Sequence, residues 1–124
     1  MIKLKRSDCA VLPLVLKREW YDMIANGGKR QEYRDLTNYW KTRIDRWTEN
    51  RKRGKTLVVA FSRGYRKADT FFTVEKVPVV TCFGYAPFRQ WGEPDTPHFA
   101  ICLSERVELE WAQMPYESEA GNAE

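Results

Sequence analysis

Apolar positions recur along this chain with two different spacings, and the changes between them predict strands and helices in alternation. Val11 to Leu16 is a short apolar run that reads as a strand, and Pro13 confines it to an edge or bend because proline has no N–H for a central ladder. From Lys17 to Asn26 the spacing becomes helical, with Trp20, Met23 and Ile24 on one stripe, and Asn26-Gly27 supplies a left-handed stop. Lys29 to Asp35 reads as a second strand. Thr37 or Asn38 can cap a second helix, in which Trp40, Ile44 and Trp47 fall at i, i+4 and i+7 on one face.

The second half of the chain is richer in β-formers. Thr56 to Phe61 is apolar and β-rich, and Ser62 to Arg66 has the composition of a turn. A long strand is expected from Thr70 to Phe83, bent or bulged at Pro78. Gly84 to Pro97 holds three prolines and two glycines, which predicts a loop or lid. His98 to Trp111 closes the sheet, with Ala100, Cys102 and Ser104 on one face and Phe99, Ile101 and Leu103 on the other. The expected core takes in Trp20, Ile24, Trp40, Ile44, Val58, Ala60, Val74 and Ile101.

This order predicts a mainly β (β-rich α+β) fold of five or six strands with two helices. A closed or nearly closed barrel is the preferred arrangement, because short strands with few helices bury their edges best by closure. At 124 residues the chain is long enough for one core without disulfides or metal. A single domain over residues 1–114 is expected, followed by an acidic tail, 115–124, too poor in large apolar residues to fold. Three cysteines, Cys9, Cys82 and Cys102, cannot all pair, and their spacing matches no zinc or CxxC motif. A reducing cytoplasm is the expected setting. No stretch approaches the roughly 18 apolar residues a membrane span needs.

Charge changes the picture further. The chain carries +4, but six acids stand against Arg106 from Glu105 onward, leaving +9 on residues 1–104. A basic body favours phosphate-bearing partners through counterion release. The run Lys41, Arg43, Arg46, Arg51, Lys52, Arg53 and Lys55 exceeds what solubility requires, and Arg51, Lys52, Arg53 and Lys55 are the expected backbone track for RNA.

The candidate chemistry is concentrated between Gly27 and Arg34. Lys29, Glu32 and Arg34 place two cations and one carboxylate on a short piece of backbone, and Glu32 and Arg34 share a strand face. Such a cluster can hold an anion, orient a polar base edge or tune a lysine for proton transfer. Tyr39 and Arg43 follow closely and can stack on a base or lie over a phosphate. His98 is the one histidine, and with no suitably spaced Asp, Glu or Cys it reads as a strand-end residue rather than a metal ligand or triad member.

Gly27, Lys29, Glu32 and Arg34 fill the pattern Gly-x-Lys-x-x-Glu-x-Arg, which resembles the signature of the ASCH family (activating-signal-cointegrator homology domains). The resemblance extends over roughly residues 10 to 110, through Leu12 to Leu16, the helix before Gly27, Tyr39-Trp40 and Arg43, Val58 to Tyr65, and His98 to Leu103. It implies a PUA-like pseudo-barrel with a cleft for RNA or a nucleoside, and it places Tyr65 as a cleft-wall aromatic. One branch of the family removes the acetyl group from N4-acetylcytidine with a lysine at the position of Lys29, a threonine nucleophile three residues later and a glutamate from a later segment. Here Glu32 occupies the threonine position, and Glu75 and Glu93 are the candidates for the later glutamate. Two classes of function follow. The first is an RNA- or nucleotide-binding module using Lys29, Glu32, Arg34, Tyr39, Arg43 and Tyr65. The second is an amidohydrolase acting through Lys29 and Glu32 on an acylated nucleoside, with a ribonuclease as a further variant. Neither reading calls for a metal or cofactor, and neither fixes an oligomeric state.

Overall fold

Strand β7 (His98–Glu110) organises the molecule, because its 13 residues pair with four other strands. Its first half lies between β3 (Gln31–Asp35) and β6 (Val80–Cys82), both antiparallel to it. Its second half lies between β5 (Arg66–Glu75), antiparallel, and β1 (Lys3–Lys5), parallel. Beyond β5 the sheet continues through β4 (Thr56–Arg63) to β2 (Cys9–Leu16), and the β2–β4 pair is parallel from Cys9↔Thr56 to Leu16↔Arg63. The crossover between β2 and β4 contains α1 (Arg18–Ala25), β3 and α2 (Asn38–Glu49). This computed structural model describes residues 1–76 and 78–110, so Trp111 and the expected tail at 115–124 lie outside the described residues.

The expectation of a β-rich chain with two helices is met, but the seven strands form one mixed sheet that does not close into a barrel. Closure is replaced by side-chain cover along β2. Trp47 Nε1 donates to Ala10 O at 2.8 Å, Arg6 Nη1 to Cys9 O at 3.0 Å and Arg34 Nη2 to Val15 O at 3.3 Å. Main-chain acceptors of an edge strand are thereby satisfied without another strand.

Three local expectations also shift. The long strand placed at 70–83 is two strands, β5 and β6, interrupted around Pro78, where a ladder N–H is lacking. Most of the expected turn at 62–66 belongs to strands: Arg63 pairs with Arg66, so Gly64 and Tyr65 alone make the hairpin turn. In α1 the core-facing stripe is Tyr21, Ile24 and Ala25 rather than one through Trp20 and Met23. Trp20 serves the loop before β7 instead.

Helix ends follow the local chemistry. Gly27, at φ +87, stops α1, and Lys29 N donates to Met23 O at 3.0 Å, which fixes the exit toward β3. Thr37 caps α2, its hydroxyl accepting from Trp40 N at 3.2 Å. The main core gathers Leu12, Leu14, Leu16, Ile24, Ile44, Trp47, Val59, Phe61, Phe99 and Ile101 among others. Cys9, Val58, Val107 and Leu109 form a smaller cluster, against which Val74 packs in part. Among the described residues, no helix is long and apolar enough to cross a membrane.

Candidate functional site

Lys29, Glu32 and Arg34 do converge. Lys29 arrives from the turn after α1, while Glu32 and Arg34 sit two apart on β3 and therefore share a face. Lys29 Nζ lies 3.1 Å from Glu32 Oε1, and Arg34 Nη2 lies 3.0 Å from Glu32 Oε2. Lys29 is only 3 % exposed, and its ammonium is 4.4 Å from the centroid of the Trp20 ring. Both carboxylate oxygens are thus engaged inside the protein. In this arrangement Glu32 is a brace that fixes the two cations rather than an open acceptor for a base.

Arg34 carries the network to α2. Its guanidinium lies 4.9 Å from the Trp40 ring centroid, and that of Arg43 lies 5.3 Å from the same ring and 5.4 Å from Tyr39. Tyr39 meets Trp40 edge-on and is itself exposed. The Nε atoms of Arg34 and Arg43 are both buried and have no hydrogen-bond partner. Five of the six expected ligand residues are therefore linked in one chain of contacts. Tyr65 is the exception: it stands at the tip of the β4–β5 hairpin, 92 % exposed, because a two-residue turn points its tip into solvent. It is not a cleft-wall residue.

One member of that chain, Arg43, also lines a groove between β2 and α2. Arg6, Arg43, Arg46 and Lys55 border it together with Trp47 and Asn50, no acidic side chain takes part, and its volume is about 490 Å³. Lys29 borders a different cavity, of about 210 Å³, with Gly27, Arg30 and Arg106. The expected basic track divides accordingly. Arg51 is paired with Glu75 and Lys52 lies 3.8 Å from Glu49, whereas Lys55 lines the groove while bonding Ser7 O. Arg53 is exposed. Arg6 had no mark in the sequence; the short turn Arg6–Asp8 between β1 and β2 delivers it.

The two candidate later glutamates are committed elsewhere. Glu75 is engaged by Arg51, and burial pushes its carboxyl above the ordinary value in spite of that partner. Glu93 accepts from Phe88 N at 3.0 Å and meets His98 Nε2 at 2.8 Å. His98 is fully buried, its Nδ1 is 2.7 Å from Thr96 O, and the Tyr33 ring stands edge-on 5.6 Å away. Burial, and then the Glu93 and Glu32 carboxylates, push the Tyr33 hydroxyl upward, so it is a hydrogen-bond donor, which it gives to Gln31 Oε1 at 2.8 Å. Burial and Glu93 likewise push the Cys82 thiol up. Sequence spacing gave His98 no partner, whereas pairing of β6 with β7 sets Cys82 directly opposite it.

No family model matches the chain, and neither a curated protein nor a solved structure shows a significant likeness to it.

Proposed function

We propose that this chain is an ASCH-type, PUA-like module that binds RNA or a nucleotide, with the phosphates in the groove between β2 and α2. The single observation that carries this reading is the lining of that groove, to which Arg6, Arg43, Arg46 and Lys55 all contribute and no acidic residue does. A groove of one sign attracts a polyanion and releases its counterions on contact. The exposed ring of Tyr39, beside Arg43, offers a face on which an unpaired base can stack. Lys29 and Glu32 support the site from behind by holding Arg34 against Trp40. The family reading rests on the motif Gly27, Lys29, Glu32 and Arg34 at the junction of α1 and β3, in the order of elements that the resemblance implies.

The test is binding of a short, labelled, single-stranded RNA followed by fluorescence anisotropy over a series of salt concentrations. The natural chain is expected to bind with a steep salt dependence. Replacing Arg43 and Arg46 together by Ala should make the log–log slope shallower by about 1.4, at about 0.7 per lost phosphate contact on a single strand. Absence of binding by the natural chain, or an unchanged slope in the double variant, overturns the proposal.

A further inference from the structure

A second constellation lies on the other face of the β3–β7 pair. Glu32 and Arg34 occupy one face of β3, while the register Asp35↔His98 and Tyr33↔Ala100 puts His98 on the opposite one. There the Cys82 thiol, a Glu93 carboxylate oxygen and a His98 ring nitrogen all lie within 4.8 Å of one another. Cys82 comes from β6, Glu93 from the loop between β6 and β7, and His98 from the first residue of β7. Three separate pieces of chain therefore bring one ligand-type atom each to a common point.

The hydrogen bonds around His98 constrain what can sit at that point. A carbonyl oxygen accepts only, so His98 Nδ1 carries the proton it donates to Thr96 O at 2.7 Å. The neutral ring of that tautomer turns a lone pair on Nε2 toward Glu93 Oε2, 2.8 Å away, which also carries lone pairs. Something positive, a proton or a metal ion, has to lie between them. A thiol–imidazole–carboxylate relay does not fit, since it needs Cys and Glu on opposite ring nitrogens, and here a carbonyl holds Nδ1 while Glu93 holds Nε2.

We propose that Cys82, Glu93 and His98 bind one divalent transition-metal ion, with Zn²⁺ as the best match. The donor set of one sulfur, one imidazole nitrogen and one carboxylate oxygen suits this borderline-soft cation and is unsuited to Mg²⁺ or Ca²⁺. The surroundings are those of a ligand set. The second ring nitrogen of His98 is held by a carbonyl, and the second oxygen of Glu93 is held by Phe88 N. Bonds of about 2.0–2.1 Å at a tetrahedral angle put nitrogen and oxygen about 3.3 Å apart, so Nε2 and Oε2 need separate by only about half an ångström. A cavity of about 230 Å³ borders Cys82 and Glu93 together with Gln31, Phe83, Tyr85 and Phe88. It provides the route in and leaves a fourth coordination position for water or a substrate atom. Bound there, the ion ties the loop that carries Glu93 to β7.

The test uses the whole chain, stripped with a chelator and titrated with Co²⁺ as a spectroscopic substitute for Zn²⁺. One equivalent is expected to produce intense tetrahedral d–d bands and a thiolate-to-cobalt charge-transfer band, both lost on adding one equivalent of Zn²⁺. Cys82→Ser should abolish the charge-transfer band and weaken binding beyond the roughly 10- to 100-fold that outer-shell changes cost, while Cys9→Ser and Cys102→Ser should retain the band. Protection of Cys82 from alkylation by Zn²⁺, read by mass spectrometry on the natural chain, gives the same answer should a variant fail to fold. No stoichiometric Co²⁺ bands, a charge-transfer band that follows Cys102 instead, or alkylation of Cys82 indifferent to Zn²⁺ would each overturn the site and leave a proton between His98 and Glu93.

Discussion

Gly92 presses its backbone so closely on Trp20 that a Cβ on the glycine would stand 2.9 Å from Cζ2 of the indole. The same residue is at φ +84, a conformation that other residues adopt at a cost. The loop before β7 is thus seated on the first turn of α1, and Trp20 in turn lies beside Lys29.

Gly92→Ala is therefore expected to destabilise the fold by about 1–3 kcal/mol, from left-handed backbone and overpacking together. Urea denaturation of the variant, of Trp20→Ala and of the double variant checks the origin. If the clash is with the indole, the double variant should lose less than the sum of the single losses. Strict additivity would place the whole cost in the backbone.

Glu32→Gln should be more damaging than an ordinary surface change, because it leaves Lys29 buried beside a neutral amide and deprives Arg34 of its anchor. Removing one partner of a buried ion pair costs about 3–5 kcal/mol. Equilibrium unfolding is the measurement, and a loss below about 1 kcal/mol would mean that water reaches the pair. Such a destabilisation would also mark Glu32 as a positioning residue rather than one that meets a ligand itself.

Glu75 offers a pH dependence with a definite sign. Its folded carboxyl is raised above the ordinary value of 4.5, chiefly by burial, so the folded chain holds more protons than the unfolded one just above that value. Stability contributed by this group then falls as pH rises through the window between the unfolded and folded values. Glu75→Gln should remove this decline, so that the variant gains on the natural chain as pH rises from about 4 to about 7. A difference in unfolding free energy that stays constant over that range would show that Glu75 does not titrate there.

Ile101→Ala should cost about 2–5 kcal/mol, since Ile101 is completely buried in the main core and lies opposite Glu32 on β3. Thermal and urea unfolding both report it. A near-neutral result would contradict the central place of β7.

The parts of the molecule that could be read from sequence are those decided within a few residues. Thr37 at the head of α2, the stop at Gly27, and Ile44 and Trp47 on one helical face all follow from local chemistry and spacing. So does the meeting of Lys29, Glu32 and Arg34, which needs only one turn and one strand. Adjacent aromatics defeated the same reasoning in α1, where an eight-residue helix gives Trp20 and Tyr21 comparable claims to the inner face and the loop beyond β6 decided between them. Tyr65 depended on the length of a hairpin turn. The partners of His98 were invisible for a different reason: Cys82 reaches it through strand register and Glu93 through the path of a loop, neither of which leaves a fixed interval along the chain. Arg6 reached the groove through the short turn directly before β2, where its side chain bonds Cys9 O.

The central position of β7 bears on how the chain acquires its structure during synthesis. Until the ribosome has delivered residues 98–110, strands β1, β3 and β6 have no partner in the sheet, and β5 is paired on one side only. The earlier part of the nascent chain can close β2 on β4 and β4 on β5, yet the backbone of β3, with Glu32 and Arg34, waits unpaired. Long-range pairing of this kind is slow and leaves edges open to other chains. The interval before β7 emerges is when this protein most needs shielding from its neighbours.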